Sequence, residues 1–419
     1  VASIVSTRIA LLAGVTAVAA GSATAQSSFY ERNRYVSVTE RAQPEYDPVP
    51  IRLGAFEAQP ALRIGAGYRS NLFASTTNET EDSYLQFRPS VDVQSTWSRH
   101  SLAVSLSSES TEYQDTSSES NTDFRGRLAG RLDASSAVSL VGNVIAEQTY
   151  EPRSSVASNP AAVEPVEQNR LGGEIGADYE AGRIKVRGRV SSETIDYQDV
   201  RLNAGPVLDQ DFRDRDETSA SVRVSYAPQR DWAVFAEGVV TERDYDAPNA
   251  FNNFNRDSQG TVFRVGSDFE LPFLVRGDVA VGYHQFEYDD PAFADVDGLS
   301  VEGNASWFVT QLTTVTGSAS RRVVDPGLLA AAGATQTDVT LRIDHELRRN
   351  WLVNASVGLS DFEYENINRT DERTRLTLGT EWKLNRNASL NGAFEYVDQD
   401  SNQQPFSENR IMVGITVRP

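Results

Sequence analysis

The sequence contains no cysteine, only three histidines and, beyond its first twenty-five residues, no long apolar run. The first absence excludes disulfides and any cysteine-ligated metal, and fits an oxidising compartment. The last excludes a spanning helix, which needs roughly twenty consecutive apolar residues. Basic residues are scarce as well: 39 Lys and Arg against 59 Asp and Glu leave a net charge of −20, the wrong sign for a nucleic-acid partner. No G-x-S-x-G elbow, H-E-x-x-H helix or phosphate-binding glycine loop occurs. His100, His284 and His345 are far apart in sequence and define no catalytic set, so neither an enzyme nor a cofactor or metal site is expected.

Mean hydropathy is −0.42 and hydrophobic content 39%, which reads as a polar protein. A transmembrane β-barrel has the same average, because each strand turns only alternate residues to lipid. The hairpin Arg373 to Tyr396 has that pattern. Leu376, Leu378, Thr380, Trp382 and Leu384 share one parity, and Arg373, Arg375, Thr377, Glu381 and Lys383 the other. Successive side chains on a strand point to opposite faces, so one face is apolar and the other charged. Asn385-Arg386-Asn387 supplies a tight turn, and Leu390, Gly392, Phe394 and Tyr396 continue the alternation on the way back.

The N-terminus reads as a secretory signal over residues 1–25, with Arg8, an apolar Ile9 to Ala20 core and Ala23-Thr24-Ala25 as cleavage motif. Residues 26–60, which hold Pro44, Pro48, Pro50 and Pro60 and show no sustained periodicity, are expected to form a periplasmic lead-in, with a partial plug as the alternative. From 61 to 419 the hairpin unit repeats, giving about eighteen strands. Short connections, such as Ser98-Arg99 and Asn385 to Asn387, alternate with long ones near 150–168, 198–215 and 246–258. This predicts an all-β fold: a transmembrane up-and-down antiparallel β-barrel with short periplasmic turns and long extracellular loops.

The aromatic residues fix the height. Trp97, Trp232, Trp307, Trp351 and Trp382 are all the tryptophans; each lies close to a short turn, on the lipid-facing parity. Tyr68, Tyr113, Tyr150, Tyr197, Tyr245, Tyr288, Tyr364 and Tyr396 lie where strands run into long loops, as the opposite girdle. Trp351 to Tyr364 is thirteen steps, which at ~3.3 Å and ~45° tilt spans roughly 30 Å, the thickness of a bilayer core.

The inward parity carries charges of both signs, which stay ionised only beside water or opposite charge. Its densest basic run is Lys185, Arg187 and Arg189, with Arg223 on the next strand and Arg125, Arg127 and Arg131 a few strands earlier. Two readings stand: a basic ladder drawing anionic solutes through a pore, or a solvated wall neutralised by Glu174 and Asp178. The acidic loops 209–217 and 287–290 read mainly as solvated surface, with divalent cations as the alternative.

Residues 49–75 carry a more specific signal. Ile51-Arg52-Leu53-Gly54-Ala55-Phe56, Pro60, the alternating Leu62 to Gly67 and Tyr68-Arg69-Ser70-Asn71-Leu72-Phe73-Ala74 follow one another. This succession resembles the start of the putative beta-barrel porin 2 family of proteobacterial outer-membrane proteins, with Arg69-Ser70 where that family has an acidic pair. The resemblance implies a transport barrel in the bacterial outer membrane, of a kind implicated in exopolysaccharide export. A general diffusion porin and a closed structural or receptor barrel are the alternatives. Expected partners are outer-membrane lipid and lipopolysaccharide, the insertion machinery, and a periplasmic polysaccharide-export protein. The final residues, Ile411 to Pro419, alternate like a closing strand but lack the terminal aromatic that insertion machineries commonly read.

Overall fold

A computed structural model describes residues 36–419 except 204, 249–253, 273, 329, 330 and 332. The proposed signal segment lies outside the described residues. Eighteen antiparallel strands form the barrel: β1 (Phe56–Arg69), β2 (Asp82–Ser95), β3 (Ser101–Tyr113), β4 (Asn121–Asp133), β5 (Val138–Tyr150), β6 (Glu167–Ala181), β7 (Ile184–Tyr197), β8 (Arg215–Gln229) and β9 (Trp232–Tyr245). They continue as β10 (Ser258–Leu271), β11 (Val275–Tyr288), β12 (Val296–Thr310), β13 (Thr313–Val324), β14 (Ala334–Arg348), β15 (Trp351–Tyr364), β16 (Thr370–Lys383), β17 (Ala388–Ser401) and β18 (Phe406–Val417). Each strand pairs with the next, and β1 pairs with β18 from Leu62↔Val417 to Arg69↔Arg410, which closes the ring and leaves no barrel edge unpaired.

The alternation is what holds this ring in register. Leu376 and Leu378 are outward and exposed, and their neighbours across the ladder, Val357, Ala355, Tyr396 and Phe394, share that face. A one-residue slip would turn all of them into the lumen and put arginines in lipid. The short turns are built by local chemistry. Asn385 Oδ1 accepts from the backbone N–H of Asn387 at 2.8 Å and of Ala388 at 3.0 Å, an Asx turn that reverses the chain. Gly182, at φ +61°, makes the β6–β7 turn in a conformation that a side chain would strain.

All five tryptophans face outward near the short-turn end, each 39–49% exposed on the isolated barrel. Trp351 and Trp382 are cross-strand partners with ring centroids 6.3 Å apart. The tyrosines correct the expectation of a matching outer girdle. Tyr68, Tyr150 and Tyr396 have the outward parity, but Tyr113, Tyr197, Tyr245, Tyr288 and Tyr364 turn into the lumen. Two of these hydroxyls find carboxylates there, Tyr245 donating to Asp325 at 2.9 Å and Tyr364 to Asp371 at 2.7 Å.

The first strand reaches back to Phe56, into the stretch read from sequence as lead-in. Below Leu62 it pairs with β2 on one side, while the short strand Ile51–Leu53 covers only Phe56 to Ala58 on the other. Pro60 falls in the gap between these two pairings, where a missing N–H costs no ladder bond.

Candidate functional site

The candidate site is the lumen and its two mouths. The seven basic residues singled out from sequence, on β4, β7 and β8, share the inward face and stand among acids. Arg125 bonds Asp123 at 2.8 Å, Arg131 bonds Asp133 at 2.8 Å, and Arg127 donates to Asn143 Oδ1 at 3.0 Å. Lys185 lies 3.8 Å from Glu180, and Arg189 reaches Asp178 at 2.5 Å and Glu174 at 3.9 Å. Arg187 is the direct cross-strand neighbour of Arg223. Arg223, itself buried, pairs with buried Asp268 at 2.9 Å and lies 3.3 Å above the Phe235 ring. That ring lies against Gly266, where a Cβ would collide with it.

Further charge on the inward face is paired as well: Arg264 bridges Glu237 at 3.1 Å and Glu302 at 3.0 Å. The inward faces of β12 to β15 differ. There Asn304, Ser306, Thr316, Ser318, Thr340 and Ser356 line the wall with hydroxyl and amide groups, and Arg342, bonded to Asp344 at 2.7 Å, stands between Thr316 and Ser356. His284 also faces inward, almost fully buried and next to Gly298 across the ladder. His345 bonds Thr313 on the outward parity, and His100 accepts from the Asp133 N–H at a short turn, so the three imidazoles do not meet.

The extracellular mouth is covered by inward-folded loops. Residues 151–166, between β5 and β6, cross toward the opposite wall, where Arg373 on β16 donates to the Ser154 carbonyl at 2.8 Å and Val156 packs on Phe362 and Tyr364. The adjacent Arg153 forks onto Glu119, in the β3–β4 loop, at 2.9 and 2.5 Å. Arg213, in the β7–β8 loop, binds Glu151 at 2.8 and 3.1 Å and stacks 3.8 Å over Tyr197. Asp325, in the β13–β14 loop, gathers Arg256 at 2.9 Å, Arg215 at 3.2 Å and the Tyr245 hydroxyl. None of these contacts follows strand alternation, and no signal in the sequence marks them beyond the length of the loops.

Two carboxyl groups of this lid have opposite electrostatics. Burial alone would push Asp325 up, but Arg256 and Arg215 outweigh it and hold its carboxyl well below the usual range. Asp214 accepts from the Tyr197 N–H at 2.7 Å, yet burial and the neighbouring Asp196, Asp211 and Asp246 push it up to about 6. Asp199, Asp209 and Asp211 form an exposed acidic group close by.

At the periplasmic mouth the lead-in runs along the inner rim. The Val38 N–H donates to Thr314 Oγ1 at 3.1 Å, Arg41 pairs with Glu346 at 3.3 Å, and Lys383 reaches Gln43 at 2.7 Å and Asp47 at 3.3 Å. Arg386 then holds the Pro44 carbonyl at 2.8 Å. The strap thus underlies β13 to β17.

Among solved structures, similar folds include Pseudomonas aeruginosa OccK2 (OpdF), at 11% identity and TM-score 0.45, covering 86% of this chain and 98% of that one. Pseudomonas aeruginosa OpdK with vanillate has 10% identity and TM-score 0.45, covering 86% and 99%. The copper transporter OprC has 10% identity and TM-score 0.49, covering 88% and 82%. No curated protein matches the sequence. The family model described as Putative beta-barrel porin 2 matches residues 43–419, from the periplasmic strap to the last residue. With its closed eighteen-strand ring, rim of tryptophans and charged lumen, the chain belongs to this family of beta-barrel porins of the bacterial outer membrane.

Proposed function

We propose that this barrel is a gated, water-filled exit for an exopolysaccharide. The observation that carries this reading is the concentration of hydroxyl and amide groups on β12 to β15, where Asn304, Ser306, Thr316, Ser318, Thr340 and Ser356 surround the Arg342–Asp344 pair in a lumen that is elsewhere mainly ionic. Such groups exchange hydrogen bonds with sugar hydroxyls at little net cost, so a glycan slides past them without being held. Ion-paired walls elsewhere keep the lumen wet. A bound lid over the outer mouth and a strap along the inner one favour regulated passage over constitutive diffusion. Support from the family resemblance is of the same kind. Deleting the gene and weighing secreted polysaccharide tests the reading: a large drop, restored by the intact gene, is expected. Unchanged polymer output together with steady small-ion conductance of the purified protein would replace it by a general diffusion porin. A periplasmic polysaccharide-export protein, docking at the rim where the strap lies, completes the proposed path.

A further inference from the structure

Arg373 is almost fully buried, yet among the described residues no carboxylate forms an ion pair with it. Its Nη2 donates to the lid's Ser154 carbonyl at 2.8 Å and to Gln399 Oε1 at 2.5 Å, and its Nε donates to the same Gln399 oxygen at 3.0 Å. Two neutral carbonyl oxygens therefore occupy the places a carboxylate's two oxygens would take. The rings of Phe362 and Phe406, about 6 Å from the guanidinium carbon, keep water away from it. A buried guanidinium binds a carboxylate through a bidentate fork, which adds the counter-charge that its two neutral carbonyl partners lack. Every other lid arginine described above already has such a partner: Arg153 has Glu119, Arg213 has Glu151, and Arg256 and Arg215 share Asp325.

We infer that Arg373 is a ligand-responsive pin: a carboxylate on an acidic glycan inside the lumen takes Arg373 from Ser154 and frees the lid at that contact. The inference rests on the proposed exit function and specifies its substrate class as a uronic-acid-bearing chain. The route is laid out along β16. Arg375, two residues nearer the periplasm on the same inward row, is more exposed and pairs with Glu395 only at 3.6 Å, so an ascending carboxylate meets Arg375 before Arg373. Arg153, the residue next to Ser154, stays bound to Glu119, both buried, so release of Arg373 loosens the lid beside that anchor and does not detach it. A neutral glycan has no group that competes for the guanidinium and leaves the lid down.

The absence of native cysteine makes the test direct. The full chain carrying Ala157→Cys, labelled with an environment-sensitive fluorophore in detergent, is titrated with an oligogalacturonate or with a neutral malto-oligosaccharide of equal length. The acidic probe is expected to give a saturable change and the neutral one none. In Arg373→Gln the label should read as released from the start and respond no further. Arg373→Lys, which keeps the charge but not the fork, should respond with affinity weakened about tenfold. An equal response to both probes, or a wild-type response in Arg373→Gln, overturns the pin. Should Arg373→Gln fail to fold, the two probes on the otherwise unaltered chain and Arg373→Lys decide the matter. Conductance of an unlabelled variant lacking residues 154–163, read beside the label response of the intact chain, separates the two claims. A current without any label response removes the pin and leaves the channel; a silent barrel with a full label response removes the channel and leaves the pin.

Discussion

Arg153 and Glu119 lie on two different extracellular loops and are buried against each other, with 4% and 3% of their side chains exposed. Removing one partner of such a pair costs about 3–5 kcal/mol, because the other charge is left buried and alone. Here that cost falls on the lid, since neither residue belongs to the strand ladder. Glu119→Gln is therefore expected to speed proteolytic cutting within residues 151–166 by roughly a hundredfold or more, while the folded barrel keeps its heat-modifiable mobility in gels. Loss of that mobility would mean that the pair supports the barrel itself.

A second buried pair lies deep in the wall. Arg223 on β8 reaches across β9 to Asp268 on β10 and covers the ring of Phe235 between them. Asp268→Asn should lower the unfolding free energy by about 3–5 kcal/mol in a denaturant titration. Replacing both partners, Arg223→Met with Asp268→Leu, should recover most of the loss, because two apolar side chains need no counter-charge. If the double variant were as unstable as the single one, the stack on Phe235 would be the dominant interaction.

The contrast between wall and lid explains what could be read in the chain. Oil on one side of a strand and water on the other impose a period of two, so Leu376 and Arg375 declare their faces by position alone. Trp351 and Trp382 declared the rim in the same way. The tyrosines did not, because a phenol suits either a lipid interface or a lumen that offers a carboxylate, and only the fold reveals that Asp325 and Asp371 are within reach. Pro60 hid five residues of β1, since whether a proline interrupts a strand depends on which neighbour is missing there. Ser154 meets Arg373 across 219 residues of sequence, and nothing local encodes that contact. Ladders are legible; contacts across an open mouth are not.

The lipid face gives a prediction that depends on register alone. Leu376 is outward and 44% exposed on the bare barrel, with Val357 and Tyr396 beside it. Leu376→Arg should destabilise the barrel by about 2–4 kcal/mol when it is refolded into bilayers, the cost near the midplane. Thr377→Arg, one residue on and inward, should lie within about 1 kcal/mol of the parent, with Glu395 directly across the ladder to receive it. Equal effects would mean that the faces are wrongly assigned.

Acid should tighten the β7–β8 corner of the lid before it loosens it. Asp214, pushed up to about 6 by burial and by Asp196, Asp211 and Asp246, is ionised at pH 7 at a cost to the folded loop. As pH falls from 7 to 5 the folded form takes up that proton before an unfolded loop would, near 3.9, and the cost disappears. Asp325 behaves in the opposite sense. Held low by Arg256 and Arg215, it contributes stability that is intact above the unfolded value and is lost only as pH falls below about 4 toward its folded value. A pH titration of the Ala157→Cys label should therefore show the lid at least as closed at pH 5 as at pH 7, with release beginning only below about pH 4. Asp214→Asn should flatten the upper part of the curve and leave the acid limb unchanged. Opening between pH 7 and 5 in the parent would contradict both assignments, since neither carboxyl group loses a stabilising charge in that range.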